Sequence, residues 1–248
     1  MDHPNFVDAF NAYSLSGTAE GLPVYVNFGQ IEDFQFLKET YGADFTKDRI
    51  CLARYGKIFR GNKAENAAVS GCAGLVIFMD PSTVAMEGVQ EQDVYPNTFW
   101  MPGTAVQRGS LALSDGDPLT PNWPSLENAY RLDEEDRAAY LPRIPVQPVG
   151  YTDAEQLLVR MAGEEAPQSW QGGLNITYKL GGELVPEVAG GKVTVEVNNR
   201  QEERVSSNVI GVLLGSEEPD RYVIPIMGPS SRGGRLHVPK QLLLILTV

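Results

Sequence analysis

Side chains that hold metals or attack carbonyl groups are scarce in this chain, which has two histidines, His3 and His237, and two cysteines, Cys51 and Cys72. A zinc site draws its ligands from Cys, His and carboxylates, and catalytic versions usually set a His at short spacing from a second ligand. No such spacing occurs. His3 stands among the first residues and His237 near the last, where side chains are commonly solvated, so both read as solvent-exposed groups and not as ligands. Cys51 opens an apolar run, Cys72 sits in Gly71-Cys72-Ala73-Gly74, and neither has a CxxC partner. Cys packs as a small hydrophobe. We therefore read both as buried free thiols in preference to a disulfide or a nucleophile, which leaves the redox compartment open. A Ser-His-Asp or Cys-His set would have to take its base from one of the terminal histidines. The expectation is that this chain alone neither makes nor breaks a covalent bond.

The 248 residues suffice for a buried core without metals or disulfides. Gly at 25 and Pro at 17 exceed the roughly 12% of the chain they usually make up together, which predicts many turns. Lys plus Arg at 20 against Asp plus Glu at 32 leaves a net charge of -12, which repels a phosphate backbone. Nucleic acid is excluded as the expected partner. No apolar run is long enough to span a membrane, and the opening MDHPNFVDAF has acidic residues where a signal peptide carries basic ones. Asn175-Ile176-Thr177 is a glycosylation acceptor tripeptide, modest support for export.

The elements that would carry any site follow from periodicity. VYVNF at 24–28 reads as a strand, and 31–40 as a helix with Ile31, Phe34 and Leu37 or Phe36 on its inner face. RICLARY at 49–55 is a second strand, NKAENAAVSGC at 62–72 a helix capped by Asn62, and GLVIFMD at 74–80 a third strand. Strand, helix and strand in so few residues make a parallel crossover unit. From Pro81 to Pro142 no period is sustained, which marks a functional excursion. IPVQPVGY at 144–151 is a short strand, and Thr152 with Glu155 reads as a capping box before a helix that turns Leu157, Leu158 and Met161 inward. Val193, Val195 and Val197 alternate along a half-buried strand, and 208–215 and 221–226 are two more. QLLLILTV closes the chain either as a terminal strand or as a nonnative tail, and as an exposed edge it would invite aggregation.

Six ordered strings carry a family resemblance: VYVNF at 24–28 with Glu32, Asp33 and Phe34, ARYGKIFRGNKAENA at 53–67, PGTAVQRG at 102–109, GDPLTP at 116–121, IPVQPVGYTDAEQLL at 144–158 and NVIGVLLGSEEPDRYVI at 208–224. Together they resemble the protease-associated domain and the opening of the peptidase domain in the glutamate carboxypeptidase family, the N-acetylated alpha-linked acidic dipeptidases, whose relatives include the transferrin receptors. The resemblance implies an α/β fold, a mixed sheet with flanking helices that covers a peptidase site holding two zinc ions. It implies that Arg60 grips the free carboxylate of a peptide substrate with an acidic C-terminus, a contact suited to a planar guanidinium. Ser110 would line the same pocket, in the place where the family has an Asn. Main-chain oxygens of Thr120 and Trp123 would contribute to a structural calcium, which accepts carbonyl oxygens.

After Arg221-Tyr222-Val223-Ile224 the family continues with a Gly-rich string bearing a zinc-binding His and an Asp, whereas this chain reads Pro225-Ile226-Met227-Gly228. The simplest expectation is a truncated product, divided into a leader at 1–20, a protease-associated domain at 21–200, an incomplete start of a zinc-peptidase α/β domain at 201–226 and an atypical tail at 227–248. It is expected to be inactive alone, with residues 24–200 folded and the remainder poorly ordered. The alternative is a non-catalytic interaction domain like that of the transferrin receptors, with the loops at 81–143 touching a protein partner. Dimerisation and membrane anchoring with an extracellular domain are common in the family; the segments responsible would lie outside this sequence.

Overall fold

In the computed structural model, residues 8–205, 209–213, 216–217, 222–223, 226–227 and 242–247 are described. The chain divides at Arg200 into two compact units, the larger comprising Ala9–Arg200. In that unit the elements run β1 (Asn11–Ala12), β2 (Gly17–Gly21), β3 (Pro23–Tyr25), α1 (Ile31–Tyr41), β4 (Ile50–Arg54), α2 (Arg60–Val69), β5 (Gly74–Phe78), α3 (Pro81–Val84), β6 (Gly109–Ser110), α4 (Glu134–Ala138), β7 (Val146–Val149), α5 (Tyr151–Leu158) and β8 (Val193–Val197).

Strands β3, β4, β5 and β7 form a parallel sheet in that order, so the crossover unit expected between β4 and β5 is present. Every residue of β4 and β5 is buried, as parallel strands covered on both faces require. Antiparallel pairing enters through β2 and β8, in register from Gly17 opposite Val197 to Gly21 opposite Val193. Val195 and Val197 are buried while Thr194 and Glu196 face solvent, the alternation of a half-covered strand. Helix α2 turns Lys63, Ala64 and Ala67 inward, and its small alanines let it lie close to β5. Among the described residues, no helix is long and apolar enough to cross a membrane.

Several expectations are corrected. Cys51 and Cys72 are joined in a disulfide, their Cα atoms 6.0 Å apart, and are not free thiols. Both are buried, so burial alone did not tell a thiol from a bridge; the crossover brings the start of β4 beside the turn that ends α2, a proximity that spacing in sequence hides. Helix α2 starts at Arg60 with Phe59 in the cap position, so Asn62 lies inside it. Helix α5 starts at Tyr151 with Gly150 as its cap, and Thr152 lies inside it. A Cβ on Gly150 would collide with the Gly103 carbonyl, and that carbonyl accepts the Thr152 N–H at 3.1 Å, so the 103 loop caps this helix where a capping box was expected. The first strand stops at Tyr25 because Asn27 takes φ of 51° and turns the chain. Ile31 is exposed and Phe34 and Leu37 carry the inner face of α1.

In the smaller unit lie β9 (Val209–Leu213), β10 (Tyr222–Val223), β11 (Ile226–Met227) and β12 (Leu242–Thr247). β12 pairs in parallel with β9 along Leu242 to Leu246 and antiparallel with β10 and β11. The terminal run is therefore a strand with partners on both sides, and the expectation of an exposed edge does not hold. Within the part of the chain expected to be poorly ordered, the apolar terminal run supplies β9 with a neighbour.

Candidate functional site around Arg60

Arg60 opens α2, directly after the turn that leaves β4, and two glycines let that turn press against β6. A Cβ on Gly61 would come within 2.5 Å of the Leu111 carbonyl oxygen. A Cβ on Gly109 would fall inside the Arg60 guanidinium, whose Nη2, Cζ and Nε are its three nearest atoms. The guanidinium thus lies flat against a strand that has no side chain there, with its Cζ 5.2 Å from the centre of the Phe59 ring. Among the described residues it has no hydrogen-bond or ion-pair partner, and its Nε is buried and unmatched. The nearby Arg54 is a contrast. Arg54 Nε is likewise buried and unmatched, but its other nitrogens donate to Asn27 Oδ1 at 2.5 Å and the Gln171 carbonyl at 3.2 Å and the group covers the Phe28 ring at 4.2 Å, so it is largely committed to the core.

The platform under Arg60 is held from behind. β6 pairs in parallel with β1, Asn11 opposite Gly109 and Ala12 opposite Ser110. Asn11 is fully buried and its Nδ2 donates to the Tyr55 hydroxyl at 3.3 Å and the Gly109 carbonyl at 3.4 Å, leaving Oδ1 unmatched. Tyr55 in turn donates to the Gln107 carbonyl at 2.8 Å. Burial pushes the Tyr55 hydroxyl above its ordinary pKa, against the Asn11 hydrogen bond and the Arg60 charge, so it stays a neutral donor.

The first turn of α2 contains no acidic residue to offset the Arg60 cation at the positive end of the helix dipole. Lys63, one turn on, is buried and donates to the Phe28 carbonyl at 2.5 Å and the Gly56 carbonyl at 2.7 Å, which fixes the turn from inside. What this arrangement can do is accept an anion, with hydrogen bonds from a guanidinium to which no side chain of its own unit is hydrogen-bonded.

The structure brings Arg60 and Ser110 to one place, since the guanidinium rests on the residue next to Ser110. Ser110 is half-buried, and its Oγ accepts the Ala112 N–H at 3.1 Å. Thr120 and Trp123 share a separate turn. The Thr120 carbonyl accepts the Trp123 N–H at 3.0 Å, and the Trp123 carbonyl accepts the Thr120 hydroxyl at 3.3 Å. The Asp117 carboxylate beside them is used by the Leu119 N–H and the Ser125 hydroxyl, both at 2.9 Å. By themselves these groups do not compose the roughly six to eight oxygens that calcium takes. His3 and His237 lie outside the described residues. Among the described residues no group of three or more His, Cys, Asp and Glu side chains gathers to hold a metal, so they do not fit a two-zinc centre.

Asn11, Tyr55 and Gly109 were not singled out from the sequence. Gly109 had a usable signal, being the last residue of the PGTAVQRG string, whereas Asn11 falls in a stretch read as a leader and had none. A groove of about 210 Å³ between Tyr41, Phe45, Arg49 and Gly181–Glu183 contains none of the residues picked from sequence, and in it Tyr41 is paired with Glu164 and Arg49 with the Gly182 carbonyl.

Residues 16–113 match the PA domain. The chain is 45% identical over 218 residues to a protein named glutamate carboxypeptidase 2 homolog from Caenorhabditis briggsae, an alignment covering 86% of this chain and 28% of that protein. It is 43% identical over 224 residues to aminopeptidase NAALADL1 of Mus musculus, covering 89% and 30%. Transferrin receptor protein 1 of Gallus gallus is 31% identical over 220 residues, covering 88% and 25%. The chain thus spans less than a third of the length of these relatives.

Proposed function

From a chain that contains a PA domain and belongs, over most of its length, to the family of the glutamate carboxypeptidases and transferrin receptors, we propose a substrate-recognition unit whose Arg60 takes the free carboxylate of a peptide with an acidic C-terminus. The observation that carries this is the Arg60 guanidinium, laid flat on Gly109 with no ion-pair or hydrogen-bond partner among the described residues. Ser110 offers a hydroxyl beside it. Peptide cleavage, which in the resemblance needs two zinc ions, is not assigned to these residues, because they assemble no ligand set for them. The role proposed for the unit is to recognise and cover.

Binding of a short peptide ending in glutamate, compared with the same peptide amidated at its C-terminus, tests the assignment. A charge-assisted hydrogen bond is worth about 1.5 to 3 kcal/mol. Arg60→Ala is therefore expected to weaken binding of the free acid by roughly ten- to a hundredfold and to leave the amide unchanged. Equal affinity of wild type and Arg60→Ala for the free acid would remove Arg60 from the role. Zinc titration by calorimetry checks the second half: stoichiometric tight binding would contradict it.

A second reading, a non-catalytic interaction domain, is favoured by one feature. The segment between α3 and β7 exposes Tyr95, Phe99, Trp123, Leu126 and Tyr130, large apolar groups of the kind enriched at protein interfaces. Under that reading Arg60→Ala leaves partner binding intact and Phe99→Ser weakens it.

A further inference from the structure

We propose that Asn175 is an N-glycosylation site, which takes a preassembled oligosaccharide on its side-chain amide. Asn175-Ile176-Thr177 is the one such tripeptide in the sequence, and by itself it is weak, because three residues recur by chance. Two independent features of the structure strengthen it.

The first is the geometry of the loop. Residues 171–178 are held firmly underneath: the Gly173 N–H donates to Asp80 Oδ1 at 2.8 Å, the Tyr178 hydroxyl donates to Asp80 Oδ2 at 2.6 Å, and the Gln171 side chain accepts the Tyr178 N–H at 2.8 Å. Leu174 and Tyr178 are buried and Ile176 is partly buried, while Asn175 and Thr177 are exposed. The acceptor amide and the hydroxyl two residues on therefore both reach solvent. Among the described residues neither has a side-chain hydrogen bond that a sugar would break. A glycan there costs the fold nothing in lost contacts, whereas one on a buried or bonded Asn would.

The second feature is the Cys51–Cys72 disulfide, which crosslinks the core of the same unit. Structural disulfides persist in oxidising compartments, and those of the secretory route also contain the glycosylation machinery. The two features were derived from different parts of the molecule and point to the same environment.

The transfer balances with a lipid-linked oligosaccharide as co-reactant. The Asn175 Nδ2 forms a bond to the anomeric carbon of the sugar, the bond from that carbon to the polyprenyl diphosphate breaks, and the amide gives up one proton as the diphosphate departs with the bonding electron pair. The resulting rim of the loop, carrying a hydrated sugar, is a face kept in solvent.

The test is expression of the full 248-residue chain behind a secretion signal in eukaryotic cells, followed by an amidase that strips N-linked sugar. The expected result is a single mobility step on stripping, absent in Asn175→Gln and in Thr177→Ala and kept in Thr177→Ser. Stripping also converts a glycosylated Asn to Asp, so peptide mass spectrometry of the wild type alone should find that conversion at Asn175, whether or not a variant leaves the cell. No step in the secreted wild type, a step that survives Asn175→Gln, or an unconverted Asn175 would each overturn the proposal. None of these outcomes depends on Arg60.

Discussion

Lys63 is a fully buried cation, and its replacement by methionine should change the way stability responds to pH. Its ammonium donates to the carbonyls of Phe28 and Gly56 and lies 5.7 Å from the centre of the Phe28 ring. Burial pulls its pKa down from 10.5 to about 8, with Asp33 opposing and Arg54 assisting. Below pH 8 the residue is charged in both the folded and the unfolded chain, and the folded state bears the whole cost of the buried charge. Between pH 8 and 10.5 the unfolded chain still holds a proton that the folded chain has released, so stability rises with pH across that window. The difference corresponds to about 3 kcal/mol, of which about 2.5 kcal/mol is recovered by pH 10. Buried Tyr25, Tyr55 and Tyr178 work the other way at higher pH, since burial raises each of them above 10.0 and the unfolded tyrosines ionise first. They are common to both proteins and cancel in the difference. Urea titrations of wild type and Lys63→Met, followed through the fluorescence of buried Trp170, measure it directly. Methionine leaves two carbonyls without donors and lowers stability at every pH; that constant offset is not the readout. Wild type should gain about 2.5 kcal/mol on the variant between pH 7 and 10, and parallel stability curves over that range would refute the argument.

Opening the Cys51–Cys72 bridge, by reduction or by the double change to Ala, frees a loop of sequence separation 21 and should lower unfolding free energy by about 3 kcal/mol. An unchanged denaturation midpoint on reduction would contradict it. Tyr178→Phe removes the donor to a fully buried Asp80 at 2.6 Å and should cost about 1.5 to 3 kcal/mol; a loss within about 0.5 kcal/mol, the size of an ordinary surface change, would show that Asp80 is satisfied without it.

The parallel crossover of β4, α2 and β5 was legible because apolar runs and an Ala-rich face are local signals, and each element lies within about three residues of where periodicity puts it. What sequence could not give depends on pairs far apart in the chain. Cys51 meets Cys72 only once α2 has packed, Gly103 caps α5 across a long excursion, and Asn11 reaches Gly109 through β1 pairing with β6. The same holds for β12, whose apolar run could be read as a strand but not as one lying between β9 and β10. At the site, the string around Arg60 was visible and its bed was not, since a glycine's use lies in what approaches it.

The position of Arg60 has an energetic consequence that an ordinary surface arginine would not have. A cation in the first turn of a helix faces the positive end of the helix dipole, which is unfavourable by about 0.3 to 1 kcal/mol, and here no acidic residue in that turn offsets it. A Cβ at position 109 would push the guanidinium away from this spot, yet the residue there is Gly, and Asn11 and Tyr55 hold that glycine in place. The protein therefore keeps a charge where its own helix disfavours it, with Nε buried and unmatched. Under the proposed role, a carboxylate bound against the guanidinium would offset that dipole term. In that role the placement suits an anion better than a neutral or cationic group.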